Sequence, residues 1–223
     1  MPPLSTNAVI ILQINPNSTI SEAYRSLLFN IEFSANERKV KTIAITSSLR
    51  GEGKTTTAIN LATAYAQIGK KVILLDADLR KPSIHLVFGE DNSKGLSNLL
   101  AKQTDITNFI KKSPIENLSI ITAGPIPNNP SELLASKQMD SLLEELKQNY
   151  DIILFDTSPA LSLIDAKIIA AKCDGTLLVV KFGKVKRNIA KKVQKELVLA
   201  KVNLLGVVWN KVNSRDAEVH LFK

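Results

Sequence analysis

The chain has 223 residues, 44% hydrophobic and 22% charged, enough to bury roughly 70% of its unfolded surface in one large domain without covalent staples. Its single cysteine, Cys173, excludes a disulfide framework or a multi-cysteine zinc site, and two distant histidines, His85 and His220, make a histidine metal site a poor reading. The net charge of +8 permits anionic partners but decides nothing alone, and no apolar run approaches the length of a membrane span.

Met1 to about Ser18 mixes Pro, Ser and Asn around Val9-Ile-Ile-Leu12 and reads as a tail or a short edge strand. It lacks the basic, apolar and small-residue regions of a secretory signal, so a cytoplasmic domain is expected. Thr19 and Glu22 have capping-box spacing, and Tyr24, Leu27, Leu28 and Ile31 recur at helical period toward Phe33 and Ala35. Glu37-Arg-Lys39 reads as a turn. The apolar strand Thr42–Thr46 then runs into a glycine-containing loop, and Thr56–Gln67 reads as a helix stopped by Gly69.

Further apolar runs at Lys71–Leu75, Leu118–Thr122, Asp151–Phe155, Thr176–Lys181 and Leu204–Trp209 are nearly continuous, as strands buried on both faces require. Helical stretches fit between them at Gly95–Ala101, Ser136–Gln148, Asp165–Lys172 and Asn188–Lys201. Ala123–Pro130 reads as a loop within the domain. The repeated strand–helix rhythm predicts an α/β fold with a predominantly parallel central sheet flanked by helices on both faces, its ligand site at the strands' carboxyl ends. One domain over about 19–213 is expected, with the short tail 214–223 after it.

The strongest chemical signal is Gly51-Glu-Gly-Lys-Thr-Thr56 between a strand and a helix. Glycines let backbone amides turn toward phosphate oxygens, and the helix N-terminus adds positive field. In this P-loop pattern Lys54 supplies charge to β- and γ-phosphates and Thr55 a hydroxyl to Mg²⁺. Ser48 stands where the full pattern has glycine. The nucleotide segment thus comprises Ser48, Arg50, Gly51, Glu52, Gly53, Lys54, Thr55 and Thr56. Asp76 and Asp78 follow one apolar strand, and Asp156 closes another as the Walker B candidate. Clustered carboxylates repel unless a cation or proton compensates them. The set points to ATP hydrolysis or transfer.

Gly51–Thr56, Ile73-Leu-Leu-Asp-Ala-Asp-Leu-Arg-Lys-Pro82 and Ile153-Leu-Phe-Asp-Thr-Ser-Pro159 resemble the Walker A, A′ and B motifs of bacterial tyrosine kinases of capsule and exopolysaccharide synthesis. The resemblance covers Ser21 to about Asn213. It implies a P-loop kinase that moves the ATP γ-phosphoryl group to protein tyrosines with Mg²⁺, leaving ADP. By that resemblance Asp76 and Asp156 organise the metal with Thr55, Asp78 is the base or hydroxyl-orienting group, and Asn210 reads adenine. Arg80 would steady phosphate, reach a neighbouring subunit or form a salt bridge, and Asp165 matches an acid near the site. The family also implies a membrane-bound activator of the polysaccharide co-polymerase type, recruitment to the inner membrane face, and a homo-oligomer, the ring octamer. Glu22, Arg25 and Asn30 match its assembly helix, whereas Leu28 and Phe29 replace the usual Arg and Thr.

Other departures are Arg50 and Ser158 in place of prolines, and the absence of any tyrosine after Tyr150. The family carries a C-terminal tyrosine cluster, so this absence leaves a truncated chain, another protein as substrate, or no autophosphorylation. Tyr24 is the one local acceptor to consider, and Tyr65 reads as a core residue. Two alternatives are an ATP-dependent scaffold and a MinD/ParA-type ATPase acting on membrane or DNA. The second would have a signature lysine where this chain has Leu49. The lysines of 181–195 read as a solvated helix face, and nucleic acid is not expected as a partner.

Overall fold

The computed structural model describes residues 10–34, 39–102, 105–185 and 187–212. The expectations for Val9, Ala35, Glu37, Arg38, Lys186, Asn213, His220 and the tail 214–223 lie outside the described residues. Seven strands form one sheet in the order β3-β4-β2-β5-β1-β6-β7. They are β1 (Thr42–Ser47), β2 (Val72–Asp76), β3 (Lys111–Lys112), β4 (Leu118–Ile121), β5 (Ile152–Asp156), β6 (Gly175–Lys181) and β7 (Leu204–Asn210). All neighbours pair in parallel except β3, a two-residue antiparallel edge on β4.

Alternation along the central strands divides the core between the two faces of the sheet. Ile43, Ile45, Leu74 and Leu154 pack with Ile59, Leu61, Ala62 and Tyr65 of α3 (Lys54–Gln67). Ala44, Ile73, Leu75, Ile153 and Phe155 pack on the other face with Met139, Leu142, Leu143 and Leu146 of α7 (Lys137–Asn149). Each fully buried large apolar side chain contributes about 1.5–3 kcal/mol, against about 0–1 kcal/mol for an exposed ion pair, so this two-sided burial dominates stability.

Three local expectations change. The edge-strand reading near the start is replaced by the helical turn α1 (Ile11–Ile14). The Asn60 side-chain oxygen of α3 accepts the Ile11 and Leu12 amides, at 2.8 and 3.3 Å, and Leu12 is buried beside Tyr24 and Ala64. These amides therefore find α3 rather than a strand edge. Second, α2 (Thr19–Ser34) is capped by Ser18, not Thr19: the Ser18 hydroxyl accepts the Ser21 amide at 3.1 Å. Third, the chain folds the short helices α4 (Ile84–Phe88) and α6 (Pro130–Ala135), with α5 (Leu96–Lys102) between them. Pro130 opens α6 because a first-turn position needs no amide donor. The other helices are α8 (Asp165–Lys172) and α9 (Arg187–Leu199), whose Lys191, Lys192 and Lys195 are exposed while Val193 and Leu197 are buried.

Tyr24 is 8% exposed, Tyr65 0% and Tyr150 7%, so none of the chain's three tyrosines presents a hydroxyl-bearing ring to solvent as an acceptor must. The expectation that Tyr24 is a local acceptor is overturned by its packing against Leu12 and Ala64.

Candidate active site

The site forms at the carboxyl ends of β1, β2 and β5. Parallel pairing sets Asp76 of β2 directly beside Asp156 of β5, in register, so both carboxylates emerge together. The loop after β1 turns through Gly51 and Gly53, whose φ angles of 79° and 99° lie in the left-handed region that glycine adopts without cost. α3 starts at Lys54, earlier than the periodicity predicts, and its first turn brings Lys54, Thr55 and Thr56 to the site.

Lys54 Nζ lies 3.0 Å from Asp78 Oδ2 and 3.6 Å from Asp156 Oδ1. The Thr55 hydroxyl donates to Asp156 Oδ2 at 2.6 Å. Asp156 Oδ1 is buried and makes no hydrogen bond. Burial pulls the Lys54 ammonium down, but Asp156 and Asp78 outweigh it and hold the lysine above its usual range. Desolvation raises the Asp156 carboxyl against the opposing pull of Lys54 and Thr55.

Asp76, expected to organise the metal with Asp156, has both carboxylate oxygens taken up by backbone amides. Its Oδ2 accepts the Ser83 and Ile84 amides at 2.9 and 3.0 Å, and its Oδ1 accepts the Asp78 amide at 3.2 Å. It anchors the turn between β2 and α4, which the sequence pattern did not reveal; Ser83, just after Pro82, was the available signal. Burial, with Asp156 beside it, pushes the Asp76 carboxyl up to about 7. The folded pKa then exceeds the unfolded value of about 3.9, so the folded state holds an extra proton and loses stability as pH rises between about 4 and 7. Nucleotide-free protein is expected to melt lower near pH 8 than near pH 5, and Asp76→Asn to shrink that difference by raising the pH 8 value. An unchanged pH profile in the variant would refute the assignment.

Arg80 and Asp165 are joined to each other rather than aimed at the loop. Arg80 Nε lies 2.7 Å from Asp165 Oδ2, and Ser131 Oγ donates to Asp165 Oδ1 at 2.5 Å. This cluster ties the β2–α4 turn to α6 and α8, and among the three readings of Arg80 it is the salt bridge that forms. Arg50 is exposed, and Ser158 is buried with its carbonyl accepting from Thr46 at 2.8 Å.

Asn210 closes the opposite side. Its Nδ2 donates to the Glu52 carbonyl at 2.8 Å and its Oδ1 accepts the Lys211 amide at 2.8 Å, leaving one N–H and one lone pair for a base. Lys211 Nζ reaches the Gly51 carbonyl at 3.1 Å, a contact that the motif reading missed. A Cβ on Gly53 would fall 1.9 Å from Asn210 Nδ2. Gly53→Ala therefore meets both a clash and a left-handed φ worth about 1–3 kcal/mol. It is expected to weaken ADP binding at least about tenfold by calorimetry; wild-type affinity would show that the loop is not held as described.

The AAA domain family matches residues 40–208. The tyrosine-protein kinase YwqD of Bacillus subtilis is 44% identical over 201 residues, 90% of this chain and 85% of that protein. The chain belongs to the bacterial tyrosine-kinase family. The tyrosine-protein kinase CpsD of Streptococcus agalactiae is 37% identical, over 88% of this chain and 85% of its own. The kinase domain of Escherichia coli tyrosine kinase ETK superposes with a TM-score of 0.89 at 33% identity, covering 92% of this chain and 81% of that one. The cell division ATPase MinD of Pyrococcus furiosus is more distant, at TM-score 0.66 and 27% identity over 80% of this chain and 78% of that one. This bacterial tyrosine-kinase chain is accordingly an ATP-dependent phosphotransferase of the group that regulates capsular and exopolysaccharide synthesis.

Glu22, Arg25 and Asn30, expected to belong to an assembly helix, are all near the surface. Glu22 pairs with Arg25 within α2, and Arg25 also donates to the Pro16 carbonyl at 2.8 Å. Asn30 is exposed. Leu28, at the family's arginine position, packs on the protein's own core, whereas Phe29 and Phe33 are 65% and 71% exposed with rings stacked 6.0 Å apart.

Proposed function

We propose that the chain transfers the γ-phosphoryl group of ATP to tyrosines of a separate protein, with Lys54, Thr55, Asp78 and Asp156 as its working side chains. The observation that carries this reading is Lys54 Nζ between Asp78 and Asp156 at the mouth of the phosphate loop, 3.0 and 3.6 Å away. Tyr24, Tyr65 and Tyr150 are buried, which favours an acceptor other than these.

Among the described residues no three His, Cys, Asp or Glu side chains form a metal cage. A Mg²⁺ ion fits the site in a different way, since it prefers one or two protein oxygens plus phosphates and water. Asp156, with its buried Oδ1 lacking a hydrogen bond, and the Thr55 hydroxyl would hold it. When bound, Mg²⁺ neutralises charge on the phosphate oxygens. The amides of Gly51 to Thr56 bind phosphates, and Lys54 adds a charge that follows the transferring group. Asp78 accepts the proton of a tyrosine hydroxyl, whose unperturbed pKa of about 10 leaves it a poor nucleophile without orientation. Asp76 holds Asp78 and Ser83 in place through their amides, and Asn210 offers its remaining donor and acceptor to adenine.

In the same reading the chain works at the inner face of the membrane under a membrane-bound activator of the polysaccharide co-polymerase type. Support comes from the family and from its similarity to the chimerical protein CapA2B2, at TM-score 0.89 and 37% identity over 93% of this chain and 91% of that one. Among the described residues no helix is long and apolar enough to cross a membrane. The outward Phe29–Phe33 pair supplies the homo-oligomer contact that Arg would supply elsewhere. Replacing both by Ser is expected to lower the assembly's mass in light scattering without changing monomer stability; unchanged mass would exclude this face.

The deciding assay incubates the protein with Mg²⁺, γ-labelled ATP and a tyrosine copolymer, reading phosphotyrosine and free phosphate separately. Phosphotyrosine is expected, and free phosphate alone would instead favour a MinD-type ATPase. Silence from the isolated chain is expected to end when the activator's cytoplasmic segment is added; continued silence would leave the scaffold reading in its place.

A further inference from the structure

Glu52 is the least expected residue of the loop. Its backbone belongs to the phosphate-binding run, yet its carboxylate is turned inward and is only 3% exposed. One oxygen, Oε2, accepts both the Ser48 hydroxyl at 2.6 Å and the Leu49 amide at 2.7 Å. The other, Oε1, faces the Lys181 amide at 3.4 Å. Its carbonyl takes the Asn210 side chain at 2.8 Å. One residue thus joins the loop's beginning, the end of β6 and the end of β7.

We infer that Glu52 is a positioning residue for the phosphate loop, its carboxylate closing residues 48–52 into a ring that presets the amides before nucleotide arrives. The inference rests on reading the loop as the phosphate cradle. It explains the chain's departure at the first loop position. Glycine there would leave the buried carboxylate with one fewer donor, whereas the Ser48 hydroxyl satisfies it. A buried carboxylate so close to phosphate would repel it if its charge were free. Here the oxygens are engaged by a hydroxyl and by backbone donors. Glu52 touches no reacting atom in this scheme and acts through the amide geometry.

Because both short bonds converge on a single oxygen, a side-chain amide can reproduce them through its carbonyl. Glu52→Gln is therefore expected to keep ADP affinity within about threefold of wild type. Glu52→Ala abandons a hydrogen-bonded hydroxyl and amide and is expected to weaken ADP binding about 10- to 100-fold. Ser48→Ala removes one bond and should fall between them. A second readout needs no nucleotide: the Leu49 amide should exchange its hydrogen at least about tenfold faster in Glu52→Ala than in wild type, and at near the wild-type rate in Glu52→Gln.

Calorimetric ADP titrations, amide exchange and thermal melting are run on the four proteins, with Lys54→Met beside them. Wild-type ADP affinity and Leu49 exchange in a folded Glu52→Ala protein would overturn the inference alone. Equal loss in Glu52→Gln and Glu52→Ala would overturn it too, since charge and not the shared oxygen would then be responsible. A wild-type protein that binds no ADP would overturn the nucleotide reading, and the inference with it. Should Glu52→Ala fail to fold, Ser48→Ala decides: unchanged affinity and Leu49 exchange refute the clasp.

Discussion

Lys54→Met is expected to lower tyrosine phosphorylation by about 100- to 1,000-fold, the range seen when one preorganised donor is removed from a charge-stabilising site. The ammonium sits in a largely buried position, with 12% of its side chain exposed, against two carboxylates. In so dry a setting it keeps its proton, because Asp156 and Asp78 outweigh the burial penalty. Methionine fills nearly the same space without the charge, so packing is kept while the field at the phosphates is lost. The variant also leaves Asp78 and Asp156 without their shared counterion. Lys54's charge follows the transferring phosphoryl group, which ADP lacks, so ADP affinity should fall less than turnover. The check is a radiometric phosphotyrosine assay alongside melting curves, so that unfolding is recognised as such. Turnover within threefold of wild type would remove Lys54 from the proposed chemistry.

The second large effect concerns Asp78. Asp78→Asn is expected to cut kcat by about 100- to 10,000-fold, as loss of a general base does, while KM for ATP changes by only a few-fold. An asparagine oxygen can still accept from Lys54 Nζ, which lies 3.0 Å from the native Oδ2, so the lysine should stay in place. What disappears is the capacity to take a proton. A raised KM with unchanged kcat would instead make Asp78 a holder of Lys54, and the base would have to be sought elsewhere. Steady-state kinetics with the copolymer as acceptor separate the two results.

The two predictions differ in how far the residues could be read before folding. Lys54 and Thr55 were legible because a loop of closely spaced glycines before a helix has few uses other than to turn amides toward an anion. Asp76, Asp78 and Asp156 were legible as strand-end carboxylates, but their division of labour was not. Parallel register sets Asp76 beside Asp156, and the turn from β2 into α4 then claims both oxygens of Asp76 through Asp78, Ser83 and Ile84. Nothing in the spacing of a five-residue helix announced it, because a helix so short has no hydrophobic period to detect. Arg80 was similarly open until Asp165, 85 positions away, was found against it.

Tyr24 shows the same limit from another direction. Helical period placed it on the apolar stripe of α2, which is compatible either with its own core or with a neighbour. Its burial came from α1, a four-residue turn held by Asn60, which has no sequence signature of its own. The outward Phe29–Phe33 pair follows from that same rotation of α2.

Composition, the unbroken apolar runs and the glycine loop were enough for the α/β class, the parallel sheet and the phosphate chemistry. Each of these depends on backbone geometry and local pattern, and short-range physics carries both. Which carboxylates meet the lysine, which oxygen remains for a cation and whether any tyrosine reaches solvent depended on contacts between segments far apart in the chain. The Ser48–Glu52 clasp lies within five residues, yet it too awaited the fold. A buried acid is tolerable only once the end of β6 closes over it and the Lys181 amide supplies the remaining donor.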